Sequence, residues 1–196
     1  GRRVLLINPP FPVDVDFIDY PYFTGLGVLA NAAALRERGF SVAVADAQAV
    51  EPFGGSALVG RSLTASGGGT SSPYGLVGCG VGRLLQSVRG GFDDVVVGIP
   101  PYLKPHVRTR FAAGLFRSLR ARFPSARLVA ADCCFGGMHY IEYDAGEFLR
   151  RYPETDAVVK YEGEAALPAL LRSPPREAAR VARGSAAQLD QDDLPF

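Results

Sequence analysis

Four segments of this 196-residue chain hold the residue types that could do chemistry, and each follows a run that reads as a β-strand. The first is Asn8-Pro9-Pro10-Phe11, continued by Tyr20-Pro21-Tyr22-Phe23-Thr24-Gly25. Its prolines fix φ and remove backbone donors, so this loop is expected to be stiff and to project its neighbours. The aromatics would form an apolar wall for a large flat ligand, or equally a cover folded over the end of the chain's own sheet. A helix is expected to begin near Thr24-Gly25, and its first N–H groups would meet a phosphate or an amide. The second segment, Pro100-Pro101-Tyr102, ends a later strand.

The third segment runs Asp132-Cys133-Cys134-Phe135-Gly136-Gly137-Met138-His139. Gly136 and Gly137 would let a ligand approach the backbone closely, or serve as a plain turn pair. Adjacent cysteines rarely serve one tetrahedral ion, and there is no second Cys/His cluster, so buried thiols are expected rather than a metal. The fourth is Tyr161-Glu162-Gly163-Glu164. Its carboxylates would accept hydrogen bonds from ligand amides or a sugar hydroxyl. As complements to a helix N-terminus, they need no ligand.

Several chemistries find no support. Gly25-Leu26-Gly27-Val28-Leu29-Ala30 matches the dinucleotide pattern only superficially, because a long loop separates Ile7 from Gly25 and the pattern belongs in the turn directly after a strand. No GxxxxGK[ST] occurs, which excludes a P-loop. No serine–histidine–acid set or carboxylate pair stands at a defensible spacing.

The elements that must position these segments follow from apolar patterning. Val4-Leu5-Leu6-Ile7 reads as a buried parallel strand. A helix over residues 25 to 38 would present Leu26, Leu29, Ala33 and Leu35, with Gly39 at its stop. Val42-Ala43-Val44-Ala45-Asp46 is the second strand, and residues 47 to 73 read as a flexible surface excursion. Val77, Val81, Leu84, Leu85 and Val88 suggest a helix. Asp94-Val95-Val96-Val97-Gly98-Ile99 is the clearest strand. Phe111, Leu115, Leu119 and Phe123 mark the clearest helix, with arginines on its solvated side. Residues 126 to 131 and 156 to 160 are the fourth and fifth strands, followed by helices near 147 to 151 and over 164 to 171. Beyond Ser173 the chain reads as irregular or a small hairpin.

Five strands alternating with helices predict an α/β fold. It should be a doubly wound, mostly parallel five-stranded sheet with helices on both faces, Rossmann-like or flavodoxin-like. Ligands of such sheets bind at the C-terminal strand ends, where all four segments fall. The formal net charge of +1 gives no sign of a nucleic-acid partner, and no apolar run is long enough to span a membrane. Three cysteines without framework spacing favour a reducing, cytoplasmic setting.

Taken in order, the stations of this chain resemble the N-terminal cobalamin-binding domain of the B12-dependent radical SAM enzymes. They are Val4-Leu5-Leu6-Ile7-Asn8-Pro9-Pro10, Gly25-Leu26-Gly27-Val28-Leu29-Ala30 with Arg38-Gly39-Phe40, and Asp94-Val95-Val96-Val97-Gly98-Ile99. After Phe123-Pro124 come Glu162-Gly163-Glu164 and the ending Asp192-Asp193-Leu194-Pro195-Phe196. The resemblance implies a cobalamin module over residues 1 to 172. It makes residues 173 to 196 a linker to a radical SAM barrel beyond this chain, carrying the [4Fe-4S] cluster and S-adenosylmethionine. No Cx3Cx2C occurs here, and the absence of DxHxxG implies cobalamin with no protein imidazole on cobalt.

The resemblance places the corrin against residues 8 to 11, 22 to 25 and 100 to 102, with its nucleotide tail running toward Gly136-Gly137 and residues 162 to 164. The parent enzyme would act on a small-molecule or peptide substrate, by methyl transfer or a related reaction, and the module alone would be inactive. Two rival expectations stand beside it. One is a degenerate Rossmann-like docking domain that has lost cobalamin; the other is a small nucleotide-dependent transferase.

Overall fold

The computed structural model describes residues 1–14, 25–49, 74–99, 109–133, 143–174 and 180–184. In chain order the elements are β1 (Arg3–Asn8), β2 (Phe11–Asp14), α1 (Leu26–Glu37), β3 (Ser41–Asp46), β4 (Tyr74–Val77), α2 (Val81–Ser87) and β5 (Asp94–Gly98). They continue with α3 (Thr109–Arg122), β6 (Arg127–Ala131), α4 (Ala145–Arg151), β7 (Ala157–Lys160), α5 (Gly163–Arg172) and β8 (Val181–Arg183).

Six of these strands form one parallel sheet in the order β3-β1-β5-β6-β7-β8. The central strands are short unbroken apolar runs because both their faces are covered. Leu5, Ile7, Val95, Val97, Leu128 and Val158 point to one face, where α2, α3 and α4 pack. Val4, Leu6, Val96, Val129 and Val159 point to the other, under α1 and α5. On the first face Phe116, Phe148 and Tyr152 form an aromatic knot with ring centroids 4.8 to 5.7 Å apart. No helix among the described residues is long and apolar enough to cross a membrane.

The doubly wound architecture agrees with expectation, and four details differ from it. The sheet has a sixth strand, because β8 joins the edge in parallel beside β7 where irregular chain or a hairpin was expected. Tyr74–Val77 is a strand rather than the start of a helix. It pairs antiparallel with β2 in a separate ribbon, leaving α2 only seven residues. Directly after β1 the chain is strand rather than loop: Pro9 and Pro10 are buried and lead straight into β2. The buried side of α1 carries Gly27, Val28, Asn31, Ala32, Ala34 and Leu35, while Leu26 and Leu29 are 57% and 42% exposed.

The connection from β7 through α5 to β8 runs opposite in hand to the other four. It steps the same way along the sheet as those carrying α3 and α4, yet its helix lies on the opposite face. Parallel crossovers are right-handed in nearly all folds, so this one is an exception. Arg127 grips the C-terminal end of α5, donating to the Leu170, Leu171 and Ser173 carbonyls at 2.7 to 3.0 Å. Its Nε is paired with buried Asp94 at 2.8 Å, which also takes Arg2. These bonds hold α5 beside α1.

Candidate functional site at the C-terminal edge of the sheet

Strand order reverses between β1 and β5, since the chain leaves β1 for β3 on one side and returns to β5 on the other. A crevice at such a reversal is where open α/β sheets bind ligands. Asn8 stands at its β1 side. Its Nδ2 donates to Asp46 Oδ1 at the end of β3, 3.0 Å away, and the Gln48 N–H donates to the same oxygen at 2.8 Å. The other oxygen, Asp46 Oδ2, is buried and has no hydrogen-bond partner among the described residues. An unpaired buried carboxylate oxygen costs on the order of 1–3 kcal/mol or more, which a donor at this spot would offset. A cleft along the β3 edge, lined by Ala43, Ala45, Asp46, Ala49, Val88 and Phe92, runs from Asp46 toward the C-terminal end of α2.

Helix α1 begins at the same place. A β-carbon on its N-cap, Gly25, would stand 3.3 Å from Asn8 Oδ1. Its first turn has no acidic residue and no side-chain cap.

The ends of β6 and β7 form a second, internally bonded cluster. Asp132 accepts the Tyr143 hydroxyl on one oxygen and the Tyr161 N–H on the other, each at 3.0 Å. Lys160, almost wholly buried, donates to the Tyr143 carbonyl at 2.7 Å and lies over the rings of Tyr143 and Tyr161. Cys133 and Tyr161 both adopt left-handed backbone conformations, with φ of +48° and +65°. Such strain persists in bulky residues only where the surroundings over-determine it, here through Asp132. Its chemistry is used inward, to shape the two turns at the strand ends.

Glu162 is the N-cap of α5 but makes no capping bond with its side chain, and Glu164 lies in the first turn. Both are half-buried, whereas Gly163 between them is buried. The structure therefore brings Asn8, Pro9, Pro10, Gly25, Glu162, Gly163 and Glu164 to one edge of the sheet. Phe11 begins β2. Tyr22, Phe23, Thr24, Pro100, Pro101, Tyr102, Gly136 and Gly137 lie outside the described residues, as do Cys134, His106 and His139. Cys79 and Cys133 are buried. Among the described residues no group of three or more His, Cys, Asp or Glu is placed to hold a metal ion.

Sequence reasoning missed Asp46, Asn31, Tyr143 and Lys160. Asp46 and Lys160 each close an apolar strand run, and a charged residue at that point was a readable signal. Asn31 is hidden in a helical apolar stretch, where nothing local distinguishes it. No protein-family model matches the chain, and no curated protein or solved structure is significantly similar to it.

Proposed function

We propose that this chain is a cobalamin-holding module that serves a radical S-adenosylmethionine domain and has no catalytic set of its own. The observation that carries the reading is the strand order β3-β1-β5-β6-β7, of flavodoxin type, with Asn8 and the start of α1 together at its reversal. Of the stations that resemble the cobalamin-binding domains, Asn8-Pro9-Pro10, Gly25 and Glu162-Gly163-Glu164 lie at this edge. The acceptors there suit the group: Asn8 Oδ1, the orphaned Asp46 Oδ2, Glu162 and Glu164 can accept from the amides that ring a corrin. Asn8, Gly25 and Asp46 would hold it on the β1 side, and Glu162 and Glu164 on the α5 side. Bound cobalamin would supply the cobalt chemistry of methyl transfer, while the iron–sulfur cluster and S-adenosylmethionine would belong to the partner barrel. The chain's own residues bind and orient.

Equilibrium titration with hydroxocobalamin tests this. A saturable absorbance change is expected, weakened several-fold by Asp46→Ala. Absence of saturable binding up to ~1 mM corrin, a standard free energy of only about −4 kcal/mol, would overturn the reading.

A second reading is a docking domain without a corrin. It is favoured by Leu26 and Leu29, an exposed apolar pair on the first turns of α1 beside the crevice. It predicts no corrin binding and retention of a partner domain on that surface.

A further inference from the structure

We infer that the chain grips a corrin only from the crest of its sheet and leaves the nucleotide tail outside, so that cobalamin and tail-less cobinamide bind alike. This rests on the corrin reading above. A tail entering from the crest, between the sheet and the helices of the α1–α5 face, would have to pass the first turns of both helices. Main chain closes both turns. A β-carbon on Gly27 would lie 1.6 Å from the Cys133 carbonyl oxygen and 2.5 Å from its carbon, so α1 rests directly on the backbone at the end of β6. A β-carbon on Gly98, at the end of β5, would meet a Val28 methyl at 2.8 Å.

Helix α5 is seated as closely. A β-carbon on Gly163 would come within 2.2 Å of Asn31 Oδ1. That amide is held in place by its Nδ2 donating to the Gly27 carbonyl at 2.8 Å. On the other side of the same turn, a β-carbon on Gly184 would lie 1.6 Å from the Glu162 carbonyl oxygen, and the Gly184 N–H is tied to Lys160 O at 3.0 Å. Below this seam, Val28, Leu35 and Leu167 are packed against the sheet at almost zero exposure. Cores at this density have no slack for a heterocycle, and forcing one in separates backbone from backbone. The open sides of Gly27, Gly98 and Gly163 are thus filled by the chain itself.

A tail excluded from the protein adds no buried area, whereas a buried heterocycle would add more than ~1.4 kcal/mol, a factor of ten. Equilibrium dialysis of the 196-residue chain against aquacobalamin and diaquacobinamide, with bound corrin read by absorbance, separates the outcomes. Dissociation constants differing by less than about tenfold are expected. Cobalamin binding about tenfold or more tightly than cobinamide overturns the inference and leaves the corrin reading standing. Failure of both corrins to bind overturns the two together.

Discussion

The Asp132 carboxylate accepts the Tyr161 N–H at 3.0 Å and holds that tyrosine at a φ of +65°, turning the chain from β7 into the N-cap of α5. The same carboxylate takes the Tyr143 hydroxyl, so one buried acid organises the strand ends of β6 and β7 and the entry to α4. Asp132→Ala removes the acceptor shared by the Tyr143 hydroxyl and the Tyr161 N–H and is expected to cost about 3 kcal/mol. Urea denaturation at constant m-value reads this directly. A loss below about 0.5 kcal/mol, the usual size of a surface substitution, would show that the turn is held by other means.

Asp94 is wholly buried between Arg127 and Arg2, and the Arg2 guanidinium is held more firmly protonated, chiefly by its hydrogen bond to Asp94. Asp94→Ala strands the buried Arg127 and should destabilise by about 3–5 kcal/mol. Replacing both partners with apolar residues is often neutral elsewhere. Here the double variant Asp94→Leu/Arg127→Met should stay destabilised, because the carbonyls of Leu170, Leu171 and Ser173 lose their donor. Full recovery in a thermal melt would show that the grip on α5 contributes nothing.

Tyr152 sits in the aromatic knot with its hydroxyl buried and without a hydrogen-bond partner among the described residues. Burial raises its pKa above the ordinary tyrosine value, and Arg151 opposes the shift only in part. The sign follows from proton linkage. Below pH ~10 both states hold the proton and stability is complete; as pH climbs from there toward the raised value, the unfolded chain loses its proton first and stability falls. Tyr152→Phe should stabilise by about 1 kcal/mol at neutral pH. It should also flatten the alkaline part of a stability-against-pH curve measured by urea unfolding. An unchanged alkaline slope would assign that loss to other groups.

Gly27→Ala places a methyl on the Cys133 carbonyl, a backbone atom that cannot step aside. The substitution should cost about 3 kcal/mol or more, although alanine is the better helix former by about 1 kcal/mol. Gly82→Ala, on α2 with open space around it, is the internal control and should be neutral or slightly stabilising. Equal melting temperatures for the two variants would mean that α1 does not rest on the end of β6.

The sheet class, the core strands and helix α3 were legible because their signal is local. Continuous runs such as Val95-Val96-Val97, and the four-residue recurrence from Phe111 to Phe123, state their own geometry. The stop at Gly39 was legible for the same reason: its φ of +84° is one that glycine accepts freely. Where local pattern was ambiguous, the reading failed. Val77 fits a helix as well as a strand until β2 pairs with it, and Leu26 and Leu29 look like a core face until Gly27 and Val28 take that role.

What tertiary structure alone decided are relationships between residues distant in sequence. Examples are Asn8 with Asp46, Gly27 with Cys133, Asn31 with Gly163, and the seating of β8 through the reversed hand of α5. A glycine carries no mark of what will lie against it, and a buried acid none of which donor it will meet. The sequence by itself determined which edge of the sheet would gather the candidate segments Asn8-Pro9-Pro10 and Glu162-Gly163-Glu164. Packing decided how much of that edge the chain keeps for itself.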